Sequence, residues 1–208
     1  MAHLYFFDRN QSYNDTSFQS KLSNAMSLIK ANHSLVASKV YEVINANILS
    51  IRTFSELSKD HYLRISNDFK EDYDINLPNR YPPTPSAVKQ IESKLEGIIF
   101  DNKYIYISSN KSAEQIASTL VHEICHFLNK GLYAKEQKVN DSKQVSYSDE
   151  VRAFTAEKMF ERNGTCLLRS DMKEIHHRVT NLYPEFTGPE KDTLRLGYLF
   201  SSYDTPMS

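Results

Sequence analysis

The residues of this chain best suited to chemistry lie together in Leu120-Val121-His122-Glu123-Ile124-Cys125-His126-Phe127-Leu128, two histidines four apart with a glutamate after the first. On an α-helix, positions four apart lie one turn above each other, so the imidazoles of His122 and His126 can reach one cation. Glu123 then stands beside that cation, where its carboxylate can take a proton from water. The spacing demands a helix, and the flanking residues supply one. Ser112 and Gln115 form a capping box, no glycine falls between Ser108 and Lys130, and Gly131 stands where a C-terminal cap belongs. We therefore expect a helix over 113–130. Ile116, Leu120, Ile124 and Phe127 make its apolar stripe, while His122, His126, Gln115, Thr119 and Asn129 fall opposite, with Glu123 at the border. The residues alone leave two readings, a metal-binding pair and the histidines of a solvated helix face. Cys125 lies between the two faces and reads as packing.

Other elements must hold this helix in place. Asp15 or Thr16 caps a helix through about Ala31, a second helical region covers 34–60, and a third covers 61–73, with Asn32-His33 as the first break. His33 and His61 read as surface residues. Pro78, Pro82, Pro83 and Pro85 forbid a continuous helix, so the segment 77–85 is extended. It divides the chain into a helical part, 1–80, and a core, 81–208, or else forms a loop within one compact domain. Pro85 after Thr84 starts a short helix to about Glu96, closed by Gly97. Ile98-Ile99-Phe100, a polar turn at Asp101-Asn102-Lys103, and Tyr104 to Ser108 read as a β-hairpin. Leu4 to Phe7 reads as a short buried strand. After Gly131 the polar segment 132–148 reads as a surface loop, followed by a helix from Ser148 to Glu161 with Glu150, Glu157 and Glu161 on one face. A last helix spans Leu167 to Leu182, and Leu194 to Phe200 packs on the core. The fold class is α+β, mainly helical, with a small antiparallel sheet next to the helix of His122.

The H-E-x-x-H stretch resembles the active-site helix of a zincin metallopeptidase, and the strand before it strengthens the likeness. In gluzincins, one branch of that clan, the third zinc ligand is a glutamate on a downstream helix, often within E-x-x-A. Glu150-Val151-Arg152-Ala153 matches that pattern. The resemblance implies Zn2+ held by His122, His126 and Glu150, with Glu123 as the catalytic base. Glu157 is then an outer-shell acceptor or a rival ligand. Phe154 stands where some of these peptidases carry an aspartate, which leaves the partners of the histidines open. Hairpin and both motif helices, roughly residues 97 to 162, also resemble the small ImmA/IrrE-type metallopeptidases. Zincins commonly supply a downstream histidine or tyrosine to the oxyanion, for which His176, Tyr183 and Tyr198 are the candidates. The strand of Tyr104 and Tyr106 is similar to the edge on which zincins lay an extended peptide, which makes these two residues candidate substrate contacts.

Composition narrows the function. With 25 basic against 26 acidic residues the net charge is −1, which argues against a general nucleic-acid or membrane-surface binder. No run approaches the roughly 18 apolar residues of a membrane span, and the start has no basic lead to a long apolar stretch. Two cysteines make no disulfide framework, so we expect a cytoplasmic protein or export by a route without a signal peptide. The function expected is a zinc metalloendopeptidase cutting a protein or peptide substrate. Small size, no recognisable pro-segment and no signal peptide suggest a bacterial toxin or translocated effector. The alternatives are an inactive zinc-binding regulatory or protein-interaction domain and a metal-free helical module.

Overall fold

The computed structural model describes residues 16–138 and 142–184. In chain order they form α1 (Thr16–Ala31), α2 (Leu35–Asn45), β1 (Ser50–Thr53), a 3-10 turn, α3 (Lys59–Tyr73), α4 (Pro85–Glu92), β2 (Gly97–Phe100), β3 (Tyr104–Ile107), α5 (Ala113–Glu136), α6 (Ser142–Glu161) and α7 (Arg169–Leu182). The fold is α+β and mainly helical. The expected strand at Leu4–Phe7, the packing of 194–200 and Tyr198 lie outside the described residues. Among the described residues no helix is long and apolar enough to cross a membrane.

The sheet is mixed, in the order β1-β3-β2. β2 pairs antiparallel with β3 through the expected hairpin, whose turn residues Asp101 and Asn102 take left-handed φ of 55° and 50°, a conformation these two residue types tolerate well. β1 pairs parallel with β3, Ser50 opposite Tyr104. This strand corrects the helix expected over 34–60. The first helix of that region ends at Asn45, Asn47 turns with φ 54°, and Ile51 joins the sheet. A short apolar run does not declare its own period, and here a partner 54 positions away in sequence chose strand.

Alternation along β3 sends its side chains to two cores. Ile105 and Ile107 enter the larger one, built from Phe18, Leu22, Ala25 and Ile29 of α1, from α2, and from the apolar stripe of α5. Tyr106 enters the second, beneath α3 and α4, with Phe54, Tyr62, Ile65, Phe69 and Ile91. Each fully buried side chain of this size contributes about 1.5–3 kcal/mol, so α5 is fixed from below by α1 and the sheet. The third cluster joins Val151 and Phe154 of α6 to Ile175 and Val179 of α7.

Four further expectations are corrected. α5 runs through Gly131 to Glu136, because Tyr133 reaches Ser146 and Glu136 takes both guanidinium nitrogens of Arg152; that tertiary support outweighs the roughly 1 kcal/mol a helical glycine costs. The expected loop of 132–148 is accordingly short. α4 ends at Glu92, because Gly97 opens β2. His61 is buried, 6% exposed, with Tyr106 Oη 3.0 Å from Nδ1 and Asp101 2.9 Å from Nε2. It ties α3 to the hairpin.

Candidate metal centre

The site forms where α5 and α6 lie side by side. Contacts descend along one helix as they ascend the other: Tyr133 with Ser146, His126 with Asp149, His122 with Glu157. The pair is therefore antiparallel. The capping box of Ser112 and Gln115 sets the start of α5, with Gln115 N 3.3 Å from Ser112 Oγ. Its polar face is covered rather than solvated, and Thr119, His122 and Glu123 are all buried.

His122, His126 and Glu150 bring one donor atom each to within 4.8 Å of one another. His122 Nε2 lies 3.3 Å from His126 Nε2, and the Glu150 carboxylate lies 3.5 Å and 3.6 Å from these two nitrogens. A tetrahedral ion with bonds of about 2.0–2.1 Å separates its ligand atoms by about 3.4 Å. The two nitrogens match that spacing, and each has one oxygen of the Glu150 carboxylate close to it, Oε2 beside His122 and Oε1 beside His126. Glu150 Oε2 is buried without a hydrogen-bond partner, so the carboxylate is shaped for a cation.

A carboxylate stands behind the other nitrogen of each histidine; His126 Nδ1 hydrogen-bonds its carboxylate, while His122 Nδ1 is buried with a charge contact and no hydrogen bond. Asp149 Oδ2 is 2.7 Å from His126 Nδ1, and Glu157 Oε2 is 3.3 Å from His122 Nδ1. A carboxylate there fixes ring orientation and raises ligand basicity. Burial pushes both imidazole pKa values down, but the carboxylates outweigh it. His122 is lifted to about 10 by Glu150 and Glu157, and His126 is lifted chiefly by Asp149. Asp149 was not singled out in the sequence. Its neighbour Glu150 carried the motif, and which face of α6 meets α5 is a matter of packing. Phe154 sits edge-on to His122 at 4.5 Å and seats the ring.

Glu123 lies beside the donors, 7% exposed, and the Ile99 backbone N–H bonds its carboxylate. Burial raises its pKa, against the two histidines. β2 comes this close because residue 97 is glycine. A Cβ there would stand 2.5 Å from Thr119 Cγ2 and 3.2 Å from Glu123. β2 is also the edge of the sheet, so the expectation of an open edge at β3 is corrected. Tyr106 is wholly buried and Tyr104 lies on the central strand under Arg52, 5.2 Å from its ring; neither faces the site. Glu96 and Phe100 carbonyls accept from Ser108 and Lys103, so by alternation Gly97 and Ile99 turn main-chain groups outward.

Two cavities, of about 620 and 760 Å³, flank the site, and both are lined by Gly97, His122, Glu123, Tyr73 and Tyr183. Together they form one cleft along the β2 edge. Tyr183 hydrogen-bonds Glu150, and burial, then the charges of Glu150 and Glu123, hold its pKa well above the ordinary value. It remains a neutral donor. His176 is elsewhere, between α6 and α7, where Tyr147 Oη lies 2.8 Å from Nδ1; burial lowers its pKa. Cys125 is buried, with Asn129 Nδ2 3.1 Å from its sulfur, as expected of packing.

Residues 79–177 match the model of the peptidase M78 family, described as an IrrE N-terminal-like domain. The matched stretch takes in the hairpin, α5, α6 and most of α7. No curated protein and no solved structure gave a significant match.

Proposed function

We propose that the chain is a zinc-dependent metallopeptidase that hydrolyses peptide bonds of a protein substrate. The observation that carries the reading is the convergence of His122, His126 and Glu150 next to a buried glutamate, in a cleft bordered by an open strand edge. Three protein ligands are the number a catalytic zinc site uses, and zinc bound there supplies Lewis acidity towards the scissile carbonyl.

The chain's own groups do the remainder. The outward main-chain groups of Gly97 and the outward carbonyl of Ile99, whose N–H is taken by Glu123, bind an extended peptide as an added strand, which carries the scissile bond across the cleft. Glu123 accepts a proton from the attacking water and passes it to the leaving amine. Tyr183, neutral and fixed at the junction of the two cavities, donates its O–H to the oxygen on which negative charge develops. Asp149 and Glu157 hold the imidazoles in register.

The test is an unbiased cleavage screen with the zinc-loaded protein against its Glu123→Gln variant, metal content being measured on both. Fragments produced by the wild type alone, with zinc in both proteins, support the reading. Zinc in both and cleavage in neither would make this a structural metal site.

A further inference from the structure

Four carboxylates surround the histidine pair, yet a three-ligand site with a free fourth position uses only one of them. What sorts them is visible in their second oxygens. Asp149 turns Oδ2 to His126 and Oδ1 to Arg152 Nη2, at 3.4 Å. Glu157 turns Oε2 to His122, and Oε1 accepts from Arg178 Nη1 at 2.8 Å. Glu123 is bonded by Ile99 N–H. Among the described residues Glu150 meets no arginine, and its carboxylate lies against both Nε2 atoms.

Resting on the zinc reading above, we infer that Arg178 is a positioning residue that keeps Glu157 behind His122 and outside the coordination shell. Arg152 does the same for Asp149 behind His126. Glu157 is buried, and a buried carboxylate without a cation turns to the nearest positive charge. With Arg178 removed, that charge is the metal. The same guanidinium lies 4.3 Å over the Phe154 ring, which packs on His122, so one side chain governs both the carboxylate and the seat of the imidazole. Arg152 is anchored by Glu136 and nearly inaccessible, whereas Arg178 sits on α7 with its side chain 43% exposed, one position beyond the matched 79–177. Arg178 is therefore the one to change.

The experiment replaces zinc with Co2+, whose visible absorption is intense in four-coordinate sites and weak at higher coordination. Expected results are an intense spectrum for the wild type, a several-fold loss of intensity in Arg178→Met as Glu157 joins the metal, and recovery in Arg178→Met/Glu157→Gln. Circular dichroism checks that α7 is retained. Should the Met variant not fold, Arg178→Gln, which keeps a polar stem and removes the charge, is read in the same way. A single-variant spectrum equal to wild type, or a loss that the double variant does not reverse, overturns the inference. The readout is coordination alone. A wild type that binds Co2+ but cleaves nothing overturns the peptidase reading and leaves this one standing, while failure to take up cobalt overturns both.

Discussion

The difference between a carboxylate and its amide is the sharpest probe of this site. Gln keeps the size and the hydrogen bond to Ile99 but cannot take water's proton. Glu123→Gln is therefore expected to keep zinc and fold while losing nearly all hydrolysis, read as metal content, thermal melt and turnover on one preparation. The carboxylates of α6 should separate by role. On the proposed assignment Glu150→Ala removes a ligand and should loosen zinc far more than Glu157→Ala, for which loss of an outer-shell carboxylate predicts about 10- to 100-fold. Competition with a chelator ranks the two, and the opposite order would exchange their assignments. Tyr183→Phe leaves the ring and removes one donor. Turnover should fall by about 10²–10³ at saturating zinc, the usual effect of losing an oxyanion donor. An unchanged rate would remove Tyr183 from the chemistry.

Two contacts between elements decide whether those residues meet. The first is β2 against α5 at Gly97, where any side chain collides with the Thr119 methyl before it reaches Glu123. Gly97→Ala should push the strand off the helix, costing about 1–3 kcal/mol as overpacking does, and activity with it. Thr119→Ser deletes the obstructing methyl and should restore part of both. Failure of that rescue in urea melts and rate assays would mean the strand is held by something else. The second contact is α3 against the hairpin turn. The hydrogen bonds of His61, then Arg64, lower the Asp101 carboxyl pKa below its ordinary value. A depressed folded-state pKa stabilises above the unfolded value of about 3.9 and is lost as pH falls through the folded one. Asp101→Asn keeps a residue that tolerates φ 55° and removes only the charge. Its urea midpoint should lie below wild type near pH 7, and the gap should close in acid. A gap that does not depend on pH would exclude the charge as its source.

For the whole molecule, the site draws on α5 and α6, the two helices that also hold the main core together. A metal that binds only the folded state stabilises it by mass action, about 2.7 kcal/mol at a hundredfold excess over Kd. For a domain of this size that is roughly 5–10 °C in Tm. Zinc should raise the melt by that amount, a chelator should reverse it, and His122→Ala should show no response to either.

What the sequence determined by itself was local. The i, i+4 spacing put His122, Glu123 and His126 on one turn; the capping residues Ser112 and Thr84 set two helix starts; Asp101-Asn102 made the hairpin turn; and E-x-x-A pointed to Glu150. These follow from a few neighbouring residues and helical or strand period. The tertiary structure decided the rest. β1 is a strand because β3 lies beside it. β3 is central because β1 took its other side, which leaves β2 as the edge beside the site. His61 is buried because Asp101 and Tyr106 come to it from the hairpin. Asp149 stands behind His126, and Arg178 reaches Glu157 behind His122, because α6 and α7 pack with those faces inward, and a buried charge persists only where a partner is brought to it. Local spacing names the groups proposed for the chemistry; only packing assigns their partners.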